Sequence, residues 1–194
     1  LTNAKLSQQR MMIWFAGAGF ILVIGFSFFL FRGYKEKQRI NAIVEEKNKS
    51  ITDSIVYARR IQTAILPSDE VLNAGLGDHF VYYKPKDIVS GDFYFFSSSG
   101  DLSIFAVADC TGHGVPGAFM SMIGNSLLSQ IINEKGVTEP ALILEHLHDG
   151  VVKALQQHGD ADTNDGMDIA ICSIDRRSGE VHYAGANRSV WVWE

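Results

Sequence analysis

Cysteine, proline and blocks of positive charge are scarce in this sequence. The chain has 194 residues, with two cysteines, four prolines and a formal net charge of −5. Two cysteines, Cys110 and Cys172, do not make a disulfide framework, so the soluble part is expected in a reducing compartment, most simply the cytoplasm. Because the basic residues form no long block, the sequence has no electrostatic basis for binding nucleic acid.

Charge is also absent from residues 11–31, which read MMIWFAGAGFILVIGFSFFLF. At ~1.5 Å per residue this stretch forms a helix of about 30 Å, enough to cross a bilayer core. No small-residue cleavage site follows, which argues against a signal peptide. We therefore predict a transmembrane helix over 11–31. Residues 1–10 are too short to fold and are expected to end a missing N-terminal region.

The flanks of this stretch predict its orientation. Positive charge is concentrated on the C-terminal side, at Arg32, Lys35, Lys37 and Arg39. Positively charged flanks face the cytoplasm, so the region after the helix is predicted to be cytoplasmic. The localisation expected from the sequence is the inner membrane, with a single span in this chain.

Residues 33–66 form one polar helical pattern, which Pro67 ends. Apolar residues recur within it at an average spacing close to 3.5, the period of a coiled-coil seam, at Ile40, Val44, Ile51, Ile55, Ala58 and Ile65. The pattern predicts a linker helix that forms a homodimer. An amphipathic helix packed on its own catalytic domain fits equally well, and one helix could serve both purposes.

A globular region is predicted over residues 78–194, after a loop over Ser68–Asp78. Strands are expected at Phe80–Lys84, Phe93–Phe96, Leu102–Asp109, Met167–Asp175, Glu180–Asn187 and Val190–Trp193. Two helices are expected between them, one from Pro116 to about Ile132 and one marked by Leu144, Leu147, Val151 and Leu155. Strands, two helices and further strands indicate an α+β layered sandwich.

Two carboxylates occupy unusual positions in this region. Asp92 begins one apolar strand and Asp109 ends the next, so a hairpin would bring both to the same edge of the sheet. Carboxylates held close together repel unless a cation neutralises them, and oxygen ligands favour Mg²⁺ or Mn²⁺. The glycines after Asp109 allow a close backbone approach, and the helix that starts near Pro116 offers free N–H groups to a phosphate.

Four segments in order, DIVSGDFY, VADCTGHGVPGAFMSMIG, DGMDIAICSID and HYAGAN, resemble the SpoIIE-like branch of the PPM metal-dependent protein serine/threonine phosphatases. The linker segment DSIVYARRIQTAILP is similar to the helix that leads into many such domains. The resemblance covers residues 54–194. It implies an αββα sandwich, of which residues 78–194 would be the N-terminal part, and a chain truncated at both ends.

The resemblance also implies a two-metal centre, with Mn²⁺ or Mg²⁺, that activates water for attack on phosphorus. Asp92 and Asp109 match the family's N-terminal metal-binding aspartates, with Asp109 in the bridging position. Cys110 matches the position whose backbone carbonyl binds the second metal. The family's pattern implies a phosphorylated regulatory protein as substrate.

The sequence departs from the family pattern at two places. Phe95 stands where many relatives carry another acid, and the remaining metal aspartates are expected beyond Glu194. Asp165 and Asp168 precede that region and are predicted to be structural. The chain as given is therefore expected to be inactive and to bind metal weakly. His113 remains open between leaving-group acid and helix-entry residue.

Three other functions compete with the phosphatase. A nucleotide cyclase is suggested by Ser90-Gly91-Asp92-Phe93, but Phe93 replaces the second acid that such a hairpin needs. A sensor histidine kinase is suggested by the transmembrane and linker helices, but residues 33–67 contain no histidine. A non-catalytic signalling scaffold of the same fold stays open.

Overall fold

The computed structural model describes residues 2–157 and 165–192. They form two compact units, Leu1–Thr52 and Asp53–Glu194. The elements in chain order are α1 (Thr2–Ala64), α2 (Asp69–Leu76), β1 (Asp92–Ser99), β2 (Leu102–Cys110), α3 (Gly114–Ser129), a π-helical turn (Gln130–Glu134), α4 (Pro140–Ala154), β3 (Met167–Asp175) and β4 (Val181–Ala186).

The first unit is the N-terminal part of α1, which includes the predicted transmembrane stretch and the start of the linker. The range Leu6–Leu76, which takes in most of α1 and all of α2, contains a segment long and apolar enough to cross a membrane, by length and composition. Helix Gly114–Glu134 passes the same test among the described residues, but it is partly buried in the second unit. That burial is typical of a core helix in a soluble domain.

The second unit contains one antiparallel sheet in the order β1-β2-β3-β4. The predicted hairpins are confirmed, since β1 pairs with β2 and β3 pairs with β4. The two hairpins join through β2 and β3, whose register runs from Leu102 opposite Asp175 to Cys110 opposite Met167. The predicted α+β class is confirmed, and both predicted helices are present as α3 and α4.

Helices α3 and α4 cover one face of this sheet because alternate strand residues on that face are apolar. Along β2, Ala106, Ala108 and Cys110 are buried, whereas Val107 between them is 58% exposed. The buried strand residues pack with Leu128, Ile131, Ile143, Leu147, Val151, Ile169 and Ile171 in a single core. The opposite face carries Val107 and Asp109, so the predicted carboxylates lie on the side away from the helices.

The predicted loop over Ser68–Asp78 is wrong, because residues 69–76 form helix α2. Asp69 and Glu70 occupy its first turn, where carboxylates favour the positive end of a helix. Leu72 is buried, and Gly75 lies directly beneath the ring of Phe96. The glycine that suggested a break is a packing position, since only a residue without a side chain fits below that ring.

Two predicted strands are also wrong. Residues 79–85 have no strand pairing, and Phe80 is 90% exposed. Residues 190–192 are likewise unpaired, and Trp193 lies outside the described residues. Apolar alternation alone does not make a strand, because each strand needs a partner for its backbone groups. Within the described sheet, β1 pairs only with β2 and β4 only with β3.

Candidate metal centre

The β1–β2 hairpin brings the two predicted metal ligands together. Asp92 is the first residue of β1, Asp109 is the penultimate residue of β2, and the register sets them directly opposite each other. Side chains at opposed positions of neighbouring strands point to the same face of the sheet and lie within contact distance. The structure therefore confirms the predicted meeting of these carboxylates at one edge.

The β2–β3 pairing extends this arrangement to a third carboxylate. Asp168 in β3 is opposite Asp109, so Asp92, Asp109 and Asp168, here called the acidic row, cross three strands side by side. Asn187, just after β4, donates a hydrogen bond from its amide nitrogen to Asp168 Oδ2 at 2.9 Å. The prediction that Asp168 is structural stays a prediction, although its position beside Asp109 was not foreseen.

A positive side chain contacts the acidic row from beyond the end of β4. The Arg188 guanidinium donates to Asp109 Oδ2 at 2.5 Å and lies 3.6 Å from Asp168 Oδ2. Sequence reasoning did not identify Arg188, because nothing local marks an arginine after a predicted strand as a partner of residues 79 positions earlier. Charge complementarity across the edge becomes visible only in the folded sheet.

Three glycines allow the backbone segments around the acidic row to pack closely against each other. A Cβ on Gly117 would lie 2.7 Å from the Gly112 carbonyl oxygen and 3.0 Å from the Gly91 Cα. A Cβ on Gly91 would lie 2.8 Å from that carbonyl oxygen and 3.2 Å from the Cys110 carbonyl oxygen. The segment before Asp92 therefore packs directly on the loop after Cys110, as glycine alone permits.

The electrostatics of the pair follow from this closeness. Partial burial and the neighbouring Asp109 carboxyl raise the pKa of Asp92, while the Arg188 guanidinium acts in the opposite direction. Burial, with the charges of Asp109 and Asp92, raises the pKa of the Cys110 thiol to about 12. The thiol therefore stays protonated at neutral pH in the absence of metal.

The donor set fits a hard divalent cation in part. Asp92 and Asp109 supply opposed carboxylates, and the Cys110 carbonyl faces the same backbone cradle as Gly91. These are all oxygen donors, the type that Mg²⁺ and Mn²⁺ prefer. In the part of the chain that the structure describes, no three His, Cys, Asp or Glu residues group as a metal site. The predicted ligands Asp92, Asp109 and Cys110 thus stay predictions with a compatible geometry.

A buried glutamine from the second half of α1 supports the start of β1. Gln62 is 4% exposed, and its amide nitrogen donates to the Ser90 carbonyl at 2.6 Å and to the Ser121 hydroxyl at 2.7 Å. Its amide oxygen accepts from the Ser90 backbone N–H at 3.0 Å. The Ser90 hydroxyl in turn accepts from the Asp92 N–H at 3.0 Å. The end of α1 is thus linked through Ser90 to the backbone of Asp92 by hydrogen bonds.

The other sequence candidates lie near this edge in different roles. His113 precedes α3 and its Nδ1 is 3.0 Å from Asp87 Oδ2, with the imidazole 75% exposed. The backbone carbonyl of Asp165 accepts a hydrogen bond from the Gln157 side chain at 2.8 Å. This bond links the segment just before β3 to the residues that follow α4. A cleft of about 780 Å³ opens beside Asp92, Asp109 and Arg188 on the face of the sheet opposite α3 and α4, and Leu72 and Leu76 of α2 also line it.

Comparison with known proteins agrees with this geometry. Residues 99–193 match the family model of Stage II sporulation protein E (SpoIIE). This region is similar to SpoIIE-like domains of the PPM phosphatase type. The chain is 29% identical over 158 residues to the phosphoserine phosphatase RsbU of Bacillus subtilis (strain 168). It shares 39% identity and a TM-score of 0.64 with the solved SiaA-PP2C domain of Pseudomonas aeruginosa.

These similarities differ in how much of each protein they cover. The match to RsbU takes in 79% of this chain and 42% of RsbU, and the match to the SiaA-PP2C domain takes in 72% of this chain and 55% of that structure. The expected αββα class is confirmed by the PP2C-like neighbour. The SpoIIE-like domain therefore has phosphatases among its relatives, and PPM-family phosphatases use Mn²⁺ or Mg²⁺.

Proposed function

We propose that the protein hydrolyses phosphoserine or phosphothreonine on a protein substrate, with divalent metal bound at the edge formed by Asp92 and Asp109. The observation that carries this proposal is the register that sets these two carboxylates opposite each other. The two carboxylates repel each other when both are charged, and a bound cation would reduce this repulsion. The similarity to a phosphoserine phosphatase supports the choice of substrate class.

The residues of the chain have distinct tasks in this proposal. Asp92 and Asp109 would hold the cation from adjacent strands, with the Cys110 carbonyl next to Asp109 in the chain. The free backbone N–H groups where α3 begins, near Gly114, attract the phosphoryl group through the positive end of the helix. Bound Mn²⁺ or Mg²⁺ would supply a lowered pKa for water and charge neutralisation on the phosphoryl oxygens.

The cleft beside the acidic row is compatible with a protein substrate. It opens on the face opposite α3 and α4 and is lined by apolar residues of the strands and of α2 together with Tyr83, Lys84 and Arg188. A phosphorylated loop entering there would place its phosphate near the carboxylates while its neighbouring residues contact the apolar floor. We propose a phosphorylated regulatory protein as the occupant, in a bacterial signalling pathway.

We further propose that residues 11–31 anchor the protein in the cytoplasmic membrane. The support is a helix that is fully exposed over this stretch and that is long and apolar enough to span a bilayer. The cationic flank that follows favours a cytoplasmic position for the SpoIIE-like domain. The linker helix over 33–66 then connects membrane and domain.

A non-catalytic scaffold of the same fold is the second candidate. It is favoured by one observation, that the described residues contain no group of three metal-binding side chains. A scaffold would use the cleft to bind a phosphoprotein without hydrolysing it. The two candidates differ in turnover.

The deciding experiment measures phosphate release from a phosphoserine peptide by the full-length protein. We expect release only with Mn²⁺ or Mg²⁺, loss of release on chelation, and loss of at least about 100-fold in Asp109→Asn. Asp101→Asn, an exposed aspartate on the β1–β2 turn, is the matched control and should retain activity. Substrate binding without turnover in the parent would favour the scaffold.

A further inference from the structure

The guanidinium of Arg188 is a cationic group that already contacts two carboxylates of the acidic row. It donates to Asp109 Oδ2 at 2.5 Å, so that oxygen already has a charged partner. It also lies 3.6 Å from Asp168 Oδ2, so one charged group serves two carboxylates. The side chain is 44% exposed, so it has access to solvent on its outer side.

The turn that carries Arg188 holds this arrangement through several specific contacts. The Tyr183 hydroxyl donates to the Arg188 carbonyl, and a Cβ on Gly185 would collide with both groups. Asn187 adopts the left-handed conformation with φ of 55° and donates to Asp168. A left-handed non-glycine residue is sparsely populated and persists only where its surroundings fix it.

Arginine and a divalent metal are alternative partners for one carboxylate. Arginine stays protonated at all physiological pH values, so it cannot release Asp109 by losing its charge. Release requires the side chain to move, and the exposed face of the guanidinium makes that movement possible without burying an unpaired charge. The same movement would carry the guanidinium into the adjacent cleft, which Arg188 already lines.

We propose that Arg188 is a built-in counter-ion of Asp109, which stabilises the metal-free site and must be displaced when a divalent cation binds. This inference rests on the proposed metal centre and adds an opposing internal cation to it. The metal affinity of the protein then depends on how much more strongly Asp109 interacts with the metal than with Arg188. Without metal, the charge of Arg188 reduces the repulsion between the carboxylates of the acidic row.

The test is a Mn²⁺ titration of the full-length protein in detergent, followed by electron paramagnetic resonance of free Mn²⁺. Arg188→Gln removes the competing charge and should tighten Mn²⁺ binding by about tenfold. Arg188→Lys keeps the charge and should stay close to the parent. Arg177→Gln removes an equivalent exposed charge at the other end of β3 and is the matched control, with unchanged affinity expected.

A second readout separates displacement from a general loss of structure. Without metal, Arg188→Gln should melt at a lower temperature than the parent, because the acidic row loses its counter-ion. At saturating Mn²⁺ that difference should disappear. These two results together support the proposal. A folded variant that still melts at a lower temperature than the parent in saturating Mn²⁺ contradicts it.

The remaining outcomes are equally decisive. Equal Mn²⁺ affinity in the parent and Arg188→Gln would overturn the counter-ion role while leaving the metal centre intact. Weaker binding in Arg188→Gln would also overturn it, because the arginine would then assist the ligands. Absence of Mn²⁺ binding in every form would overturn the counter-ion role and the proposed metal centre together.

Discussion

At the residue scale, the acidic row is an unfavourable arrangement that the fold maintains. Asp92 and Asp109 are opposed in the register, and partial burial together with the neighbouring Asp109 carboxyl raises the pKa of Asp92. A raised carboxyl pKa in the folded state means that the folded protein holds a proton more firmly than the unfolded chain. This contribution to stability is present at acidic pH and is lost as pH rises through the raised pKa.

Replacement of Asp92 by asparagine tests this account of the pair. In chelator at about pH 7, Asp92→Asn should melt at a higher temperature than the parent, because one of two opposed charges is gone. The gain should shrink as pH falls toward the ordinary aspartate value of 3.8, where the parent carboxyl is protonated too. Thermal melts across this pH range measure the effect.

Two comparisons complete that experiment. Asp101→Asn, at the opposite end of the hairpin, should show no such pH-dependent gain. Saturating Mn²⁺ should make the parent the more stable protein, because the parent binds Mn²⁺ through a carboxylate that Asp92→Asn lacks. A parent that is more stable than Asp92→Asn in chelator at neutral pH would mean that the carboxylates are not in conflict.

At the element scale, the site depends on backbone segments that approach more closely than side chains allow. Gly117, in the first turn of α3, lies against Gly91 and the carbonyl of Gly112. That contact fixes the start of β1 relative to the loop after β2. The position of Asp92 beside Asp109 is therefore set by helix packing as well as by strand pairing.

Gly117→Ala tests this contact. Its new Cβ would meet backbone atoms at 2.7 and 3.0 Å, which cannot rotate away. We expect the free energy of unfolding to fall by about 1–3 kcal/mol, as for other overpacked sites. Gly166→Ala is the control, because nothing lies within 4 Å of its Cβ position. Urea denaturation that gives equal stability for both variants would contradict the tight approach.

The same scale shows what the sequence could and could not predict. The hairpins β1–β2 and β3–β4 were predictable because apolar residues alternate and short turns containing glycine join them. Helix α2 was missed because Gly75 suggested a break, whereas its role depends on the ring of Phe96 above it. Local pattern carries no information about a packing partner that lies 21 residues away.

Long-range placement limited the prediction of the site in the same way. Asp92 and Asp109 were identified because they belong to adjacent strands of one hairpin. Asp168 joins them only through the β2–β3 pairing, which spans two helices of intervening chain. Gln62 and Arg188 reach the site from α1 and from beyond β4, and no spacing rule connects such positions.

At the scale of the whole molecule, the linker helix carries an apolar seam that the described structure leaves largely exposed. Ile40, Val44 and Ile51 are each about half exposed on α1, at 50%, 49% and 58%. A second copy of the same helix would cover this seam with the spacing of a coiled coil. We propose homodimerisation through residues 33–66 on this basis.

Ile51→Asp tests the dimer. A charge in the seam should weaken self-association of the full-length protein in detergent by at least about tenfold, because the carboxylate would be desolvated against the partner. Thr52→Asp adds the same charge beside the seam and should leave the mass unchanged. Light scattering after gel filtration gives the comparison. A monomeric parent, or Ile51→Asp that remains dimeric, would assign the seam to another role.

The proposed phosphatase activity depends on divalent metal at the Asp92–Asp109 edge, and a Mn²⁺ titration of the full-length protein tests this metal centre most directly. The parent should bind Mn²⁺, and Asp109→Asn should weaken that binding by at least about 100-fold, since one carboxylate serves as the central ligand. Asp101→Asn should bind as the parent does. Equal Mn²⁺ binding by the parent and Asp109→Asn would contradict the account, because the metal would then lie elsewhere.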